Sequence, residues 1–211
     1  MLIKLAVLFS GNGSNLENLL TKLHQKTFGK MRFEVVLCLC NKKEAFGIER
    51  ARKFGLESVI IEHKDFKSRE EFDEVLVKKI KESGADLTIL AGFMRILSPV
   101  FTQNVKAINL HPSLLPLFKG ANAIKESFES DMKVAGVSVH WVSEELDGGK
   151  IIAQKAFEKK NLSFEEFEVQ IHALEYELLP QSVIELFIKE QKIIKKSKNS
   201  YLVFTRYKSK I

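Results

Sequence analysis

Near its amino terminus the chain reads Leu5-Ala6-Val7-Leu8-Phe9-Ser10-Gly11-Asn12-Gly13-Ser14-Asn15. The apolar residues at its start predict a buried strand, and the turn that follows contains two glycines. Leucines then recur with helical spacing at positions 16, 19, 20 and 23. A strand, a glycine turn and a helix in this order are typical of the first unit of a doubly wound α/β fold.

The rest of the chain alternates predicted strands and helices. We expect strands at residues 33–40, 58–61, 85–91 and 107–110, and helices at residues 46–54 and from the capping box Ser68-Arg69-Glu70-Glu71 to Ile80. After Pro116 the pattern changes, and we expect two antiparallel strands at residues 134–142 and 151–156, then a helix at residues 163–188. The sequence therefore predicts an α/β, doubly wound, mostly parallel (Rossmann-like) sheet with an antiparallel C-terminal extension.

Composition narrows the class of protein. A chain of 211 residues with 45% hydrophobic content is long enough for one large domain. No apolar run approaches the roughly 20 residues that a membrane-spanning helix needs, and the first ten residues lack the features of a signal peptide. Cys38 and Cys40 lie on one predicted strand and point the same way, which is poor geometry for a disulfide. We therefore expect a reduced, cytoplasmic protein without membrane contact.

The net charge of +6 comes from the C-terminal tail, because residues 189–211 hold eight Lys and Arg residues and one Glu. Two interpretations compete. The tail is an RNA-binding arm of a non-catalytic protein, or it carries a last edge strand, Tyr201-Leu202-Val203-Phe204, guarded by lysines. We favour the edge strand and expect no nucleic-acid partner, because aromatic and basic residues do not interleave outside the tail.

A second stretch reads Ile108-Asn109-Leu110-His111-Pro112-Ser113-Leu114-Leu115-Pro116, an apolar run that stops on an amide, an imidazole and a proline. In extended geometry Asn109 and His111 point to the same face, so both can converge on one ligand atom. A turn with a satisfied histidine would show the same pattern. We treat the pair as a candidate catalytic site because an open α/β sheet presents its chemistry at strand ends.

The glycine turn at Gly11-Asn12-Gly13-Ser14-Asn15 is a candidate phosphate site. The first N–H groups of the helix that follows lack helical acceptors and point towards any anion placed there. The turn is not a P-loop, and Leu16 occupies the position of the third glycine of a dinucleotide fingerprint. The alternative is a glycine-rich connection in which Ser14 caps the helix. Both interpretations stand on this motif alone, and any ligand bound here offers one phosphate.

Taken in order, these motifs resemble the phosphoribosylglycinamide formyltransferases, a folate-dependent enzyme family of purine synthesis. The matching segments are residues 10–16, 41–52, 68–70, 90–99, 109–116, 136–140 and 144–149. The resemblance covers nearly all of the chain and implies a single domain over residues 1–211. Within it, residues 1–105 form a phosphate- and ribotide-binding half and residues 106–211 a catalytic and folate-binding half.

The resemblance implies formyl transfer from 10-formyltetrahydrofolate, used as a co-substrate, to the amine of glycinamide ribonucleotide in de novo purine (IMP) biosynthesis. The products would be formylglycinamide ribonucleotide and tetrahydrofolate. Related methionyl-tRNA formyltransferases add a C-terminal barrel, and formyltetrahydrofolate deformylases usually add an N-terminal domain. We expect neither here, because the first predicted strand begins near residue 3 and 211 residues leave no room for a barrel. We expect only small-molecule partners, and a monomer or homodimer.

The resemblance also implies roles for individual residues. Asn109 and protonated His111 would donate to the oxyanion, and Asp147 would face His111 and favour its imidazolium form. The ribotide-binding residues implied are Gly13, Ser14, Asn15 and Glu175. The folate-binding residues implied are Arg69, Met94, Arg95, Ile96, Leu97, Asn109, Ser143, Glu144, Glu145 and Leu146.

The other histidines have no predicted catalytic role. His140 alternates with apolar neighbours, so we expect a supporting or core histidine rather than a catalyst. His24, His63 and His172 show no metal-ligand spacing, so we expect no metal site. The chain departs from the family at Asn122 and Tyr176, where histidines are common.

Overall fold

The computed structural model describes the backbone of residues 1–208 and the side chains of residues 1–191. Its strands are β1 (Leu2–Phe9), β2 (Thr27–Phe28), β3 (Met31–Cys40), β4 (Ser58–Ile60), β5 (Leu87–Leu90), β6 (Ala107–His111), β7 (Val134–Trp141) and β8 (Ile151–Glu158). Its helices are α1 (Ser14–Lys22), α2 (Gly47–Arg52), α3 (Arg69–Ser83), α4 (Pro99–Thr102), α5 (Ala123–Glu129) and α6 (Phe164–Lys208). Lys210 of the basic tail lies outside the described residues.

All eight strands form one sheet in the order β2-β3-β1-β5-β6-β7-β8, and β4 also pairs with β3. The pairs β1–β3, β1–β5, β3–β4 and β5–β6 are parallel, whereas β6–β7 and β7–β8 are antiparallel. The predicted parallel sheet with an antiparallel extension is therefore confirmed. Strand order reverses between β1 and β5, and a sheet of this kind binds ligands in the crevice at the carboxyl ends of such strands.

Burial on both faces explains the unbroken apolar run from Leu5 to Phe9 in β1. Its odd-numbered side chains from Ile3 to Phe9 face one core layer, which contains residues of α1 and α6. Ala6 and Leu8 face the second layer, which contains residues of α3 and α4. The strand is fixed from both sides, so the turn that leaves its carboxyl end starts from a rigid base.

The helix starts differ in part from expectation. Gly13, with φ of +72°, is the N-cap of α1, and no side chain caps this helix, so the alternative with Ser14 as cap is wrong. The capping box of α3 is confirmed in its first half, because Ser68 Oγ accepts a 3.1 Å hydrogen bond from the Glu71 N–H. The Glu71 carboxylate accepts from the N–H of Lys67, one residue before the cap.

The edge strand predicted at residues 201–204 is wrong, because α6 continues as a helix through this segment to Lys208. Pro180 lies inside α6 and does not end it. Between Pro180 and Lys208 the chain has no glycine or further proline, and it is rich in lysine, a good helix former. None of the helices in residues 1–208 combines the length and apolar character that crossing a bilayer requires.

Two glycines in close contact hold the β1–α1 turn against α2. A Cβ built on Gly13 would lie 2.4 Å from the Gly47 Cα, and the Gly47 N–H donates to the Gly11 carbonyl at 3.1 Å. The turn therefore needs glycine at position 13 for two reasons, the positive φ and the close approach.

Gly13→Ala should lower the free energy of unfolding by about 3 kcal/mol, because it adds left-handed strain to an overlap with α2. Gly29→Ala is the matched control: its φ of +61° is similar, but nothing lies within 4 Å of the added Cβ. This control should lose only about 1 kcal/mol. Urea denaturation measures both, and equal losses would contradict the overlap at Gly13.

Candidate active site

One cleft of about 740 Å³ opens at the carboxyl ends of β1, β5 and β6. The structure brings all the residues implied by the sequence to this cleft: Gly13, Ser14, Asn15, Arg69, Met94, Arg95, Ile96, Leu97, Asn109, His111, Ser143, Glu144, Glu145, Leu146, Asp147 and Glu175. Ser10, Lys42, His140 and His172 also line it. The cleft therefore joins segments from both halves of the chain.

His111 and Asp147 form the buried centre of the cleft. Their side chains are 6% and 7% exposed, and His111 Nδ1 lies 3.4 Å from Asp147 Oδ2. The other ring nitrogen, Nε2, donates a 2.8 Å hydrogen bond to the Phe118 carbonyl. Both ring nitrogens thus face acceptor oxygens, an arrangement in which a doubly protonated ring can donate on both sides.

Asn109 and His140 extend this centre across the junction of β6 and β7, where they are paired residues in the sheet. His140 Nδ1 donates to the Trp141 carbonyl at 2.9 Å, so its Nε2 can accept from Asn109 Nδ2 at 3.1 Å. Asn109 Nδ2 also donates to Asp147 Oδ1 at 3.3 Å. Both amide hydrogens of Asn109 are engaged within the protein, and the contact with Asp147 is the longer of the two.

The surroundings of Asp147 keep its carboxylate charged. Burial by itself raises the pKa of Asp147, but the hydrogen bond from the Gly120 N–H and the charge of His111 act in the opposite direction, and the pKa lies below its usual value. The Gly120 N–H donates to Asp147 Oδ2 at 2.9 Å. Asp147 also has a φ of +50°, a backbone conformation that is uncommon for a residue with a side chain.

A short segment, residues 117–120, covers this centre from one side. Its Phe118 carbonyl accepts from His111, and its Gly120 N–H donates to Asp147. Lys119 Nζ donates to Glu145 Oε1 at 2.6 Å, which ties the segment to the loop that carries Asp147. The segment therefore satisfies polar groups of His111 and Asp147 that would otherwise face the cleft.

The turn at the start of α1 leaves backbone donors free. The first hydrogen bond of the helix runs from the Glu17 N–H to the Gly13 carbonyl, so the N–H groups of residues 14–16 precede the ladder. The exposed Lys42, which follows β3, lines the same end of the cleft. Backbone donors, the positive end of the helix dipole and one lysine make this end suited to an anion.

Arg50 on α2 braces this turn. Its Nε donates to the Asn12 carbonyl at 2.9 Å and one terminal nitrogen to Asn12 Oδ1 at 3.3 Å, while the other pairs with Glu17. The Arg50 guanidinium is occupied by Asn12 and Glu17, and these contacts stabilise the turn. Lys42 is the cation that lines the cleft beside the turn.

Glu175, contributed by α6, is 5% exposed and faces the same turn. Its Oε2 accepts from Asn15 Nδ2 at 3.0 Å and from His172 Nδ1 at 2.8 Å. Asn15 Oδ1 is buried without a partner among the described residues, so it is available as an acceptor. His172 stacks on Tyr176 with ring centroids 6.3 Å apart, which gives Tyr176 a packing role at the position where the family often has histidine.

The opposite side of the cleft is apolar and accessible. Met94, Ile96 and Leu146 are 63%, 53% and 46% exposed, although large apolar side chains are normally covered. Leu97 lines the cleft but is 9% exposed and belongs to the core layer of α3. Arg69 stands at the start of α3 beside this surface, with its Nε 3.8 Å from Glu70. An apolar ligand with an anionic end fits these groups.

The supporting role expected for His140 is confirmed, although its contact with Asn109 depends on the register of two antiparallel strands. Sequence reasoning missed other residues that shape the cleft. The role of Arg50 depends on how α2 packs, and that of Gly120 on a left-handed glycine with φ of +86°. The His-X-X-Glu spacing of helical neighbours was the one available signal, because His172 precedes Glu175 by three residues. In the described part of the chain no cluster of three or more His, Cys, Asp or Glu side chains could hold a metal ion.

The His172 imidazole should titrate with a raised pKa. The hydrogen bond to Glu175 raises the pKa of His172 above its ordinary value of 6.5, against the lowering effect of burial, and the charges of Glu175 and Glu168 add to the rise. Because the folded pKa is raised, the stabilisation by this pair is complete below the unfolded pKa and is lost as pH rises through the folded one. NMR titration of the imidazole should show a marked drop in pKa for Glu175→Gln and a smaller one for Glu168→Gln. An unchanged titration in Glu175→Gln would contradict this assignment.

Comparison with known proteins identifies relatives of this chain. The Formyl transferase family matches residues 3–183. The phosphoribosylglycinamide formyltransferase of Bacillus subtilis is 38% identical over 186 residues, which cover 87% of this chain and 94% of that protein. The trifunctional purine biosynthetic protein adenosine-3 of Gallus gallus is 44% identical over 156 residues, 73% of this chain but 15% of that larger protein.

A solved structure agrees with the fold as well. The crystal structure of phosphoribosylglycinamide formyltransferase from Campylobacter jejuni subsp. jejuni is 80% identical and has a TM-score of 0.88, covering 89% of this chain and 98% of that chain. The chain therefore belongs to the formyl transferase family, and within it to the phosphoribosylglycinamide formyltransferases.

Proposed function

We propose that this enzyme uses 10-formyltetrahydrofolate as the formyl donor, and that Asn109, His111 and Asp147 carry the transfer to the amine of glycinamide ribonucleotide. The products are formylglycinamide ribonucleotide and tetrahydrofolate, and the reaction belongs to de novo purine biosynthesis. One observation supports the proposal best. Asn109, His111 and Asp147 lie between a turn suited to an anion and an accessible apolar surface in one cleft.

The reaction needs stabilisation of negative charge. Attack of the amine on the formyl carbon gives a tetrahedral intermediate whose oxygen becomes an oxyanion. His111 Nε2 is the nitrogen that can turn to this oxygen, because Nδ1 faces Asp147. To do so it exchanges the Phe118 carbonyl for the substrate oxygen. Asn109 supplies the second donor by releasing its longer contact with Asp147.

Asp147 keeps His111 oriented and balances its charge. The low pKa of Asp147 means that the carboxylate is ionised at neutral pH and can favour the imidazolium. The attacking amine loses a proton as the carbon–nitrogen bond forms, and the folate nitrogen gains one as its bond to the formyl carbon breaks. We assign the relay of that proton to Asp147, through water.

The ribotide occupies the end of the cleft near α1. Its phosphate lies at the N–H groups after Gly13, with Ser14 and Asn15 in contact and Lys42 supplying positive charge. The buried Asn15 Oδ1 accepts from a substrate N–H or O–H group, which satisfies an otherwise unpartnered atom. Glu175 beside it binds the glycinamide amine or the ribose.

The donor occupies the other end of the cleft. Its flat ring lies against Met94, Ile96 and Leu146, whose exposed surfaces it covers. The remaining donor contacts come from Arg95, Leu97, Asn109, Ser143, Glu144 and Glu145. Arg69 pairs with the anionic end of the folate, because a cation in the first turn of a helix opposes the helix dipole and gains from an anion nearby.

The remaining expectations complete the proposal. We assign the whole of residues 1–211 to one catalytic domain that works in the cytoplasm as a monomer or homodimer. Its partners are the two small-molecule substrates, without nucleic acid or membrane, and its chemistry uses no metal.

The test is the absorbance change as purified protein deformylates a 10-formylfolate, with and without glycinamide ribonucleotide. His111→Ala should lower kcat by about 10²–10³, because it removes a donor to the oxyanion. His63→Ala, at a histidine outside the cleft, is the matched control and should retain activity. Turnover that proceeds equally well without the ribotide would identify a hydrolase and contradict the proposal.

A further inference from the structure

The apolar surface proposed for the donor is carried by an irregular segment between β5 and α4, residues 92–97. Ser10, which is 2% exposed, secures its beginning: the Ser10 N–H donates to the Gly92 carbonyl at 3.1 Å, and Ser10 Oγ accepts from the Met94 N–H at 2.8 Å. Because Met94 and Ile96 are more than half exposed, core packing does not fix them. Their position depends on how the segment is anchored at its ends.

The far end is anchored by a buried carboxylate. Asp73 on α3 is 0% exposed, and its Oδ2 accepts from both the Ser98 N–H at 2.6 Å and the Ser98 hydroxyl at 2.7 Å. Ser98 is the N-cap of α4, yet its hydroxyl is not used to cap that helix and donates to Asp73 instead. Ser98 follows directly after the segment, so these two hydrogen bonds fix where the segment ends.

This anchor carries an energetic cost. Burial raises the pKa of Asp73, although both Ser98 donors and the charge of Arg69 act in the opposite direction. Asp73 Oδ1 is buried and has no hydrogen-bond partner among the described residues. A buried carboxylate in this state destabilises a fold compared with a well-packed apolar side chain. Costs of this kind are found where function requires a group to be held in place.

We propose that Asp73 is a positioning residue for the formyl donor: through Ser98 it holds the segment of residues 92–97 in the geometry that binds folate. The proposal rests on the assignment of this side of the cleft to the donor. Asp73 acts through Ser98 and does not touch substrate, so its loss weakens donor binding and leaves the ribotide end unaffected.

A graded set of variants tests this. Asp73→Ala removes both acceptor contacts, Ser98→Ala removes only the hydroxyl contact, and Asp73→Asn keeps an acceptor without the charge. Glu74→Gln, the exposed neighbour on α3, is the matched control. For each we would measure KM for donor and ribotide by steady-state kinetics, and folate affinity by calorimetry without turnover.

Donor KM and folate Kd should rise about tenfold in Asp73→Ala and about threefold in Ser98→Ala and Asp73→Asn, while ribotide KM stays within about twofold. Glu74→Gln should match the wild type. Equal rises in both KM values, or unchanged folate affinity, would overturn the proposal. If Asp73→Ala does not fold, the two milder variants decide. A wild-type protein that binds folate without formylating the ribotide would contradict the proposed function and leave this test valid.

Discussion

The carboxylate of Asp147 joins the three parts from which the proposed catalytic centre is built. It faces His111 at the end of β6, accepts from Asn109 on the same strand, and accepts from the Gly120 N–H. Asp147 itself lies in the loop between β7 and β8 with a φ of +50°. Removing water from a carboxylate and holding its backbone in this region are both unfavourable, so the surrounding donors must offset both. These donors keep the Asp147 carboxylate in place beside the His111 ring.

The sheet places the two proposed substrate ends of the cleft next to each other. The anion-binding turn leaves β1 and the apolar segment leaves β5, and these strands are neighbours on either side of the point where strand order reverses. Ser10 belongs to the first connection and hydrogen-bonds to the second. A ligand held by its phosphate on one side therefore lies within reach of a flat ring on the other, and β6, next in the sheet, brings Asn109 and His111 to the same edge.

Local sequence patterns predicted most of the fold. The apolar run at the start of the chain predicted β1 as a buried strand. The period of two placed Asn109 and His111 on one face. Two contacts of the cleft could not be predicted, because each depends on the meeting of distant parts of the chain. Asn109 meets His140 only through the β6–β7 register, and Asn15 meets Glu175 across 160 positions of sequence. The strand predicted at residues 201–204 rested on apolar composition, which does not distinguish a short strand from the end of a long helix.

The polar groups of the proposed catalytic centre are hydrogen-bonded within the protein before any substrate binds. Phe118 occupies His111 Nε2, and Asp147 and His140 occupy the amide hydrogens of Asn109. Substrate binding thus exchanges hydrogen bonds, and the net gain from a neutral formyl oxygen that replaces a carbonyl is small. The gain becomes large when that oxygen acquires negative charge, because charged acceptors form much stronger hydrogen bonds than a peptide carbonyl does. An internal acceptor at His111 therefore directs the interaction energy to the intermediate rather than to the bound substrate, which is the condition for accelerating the reaction.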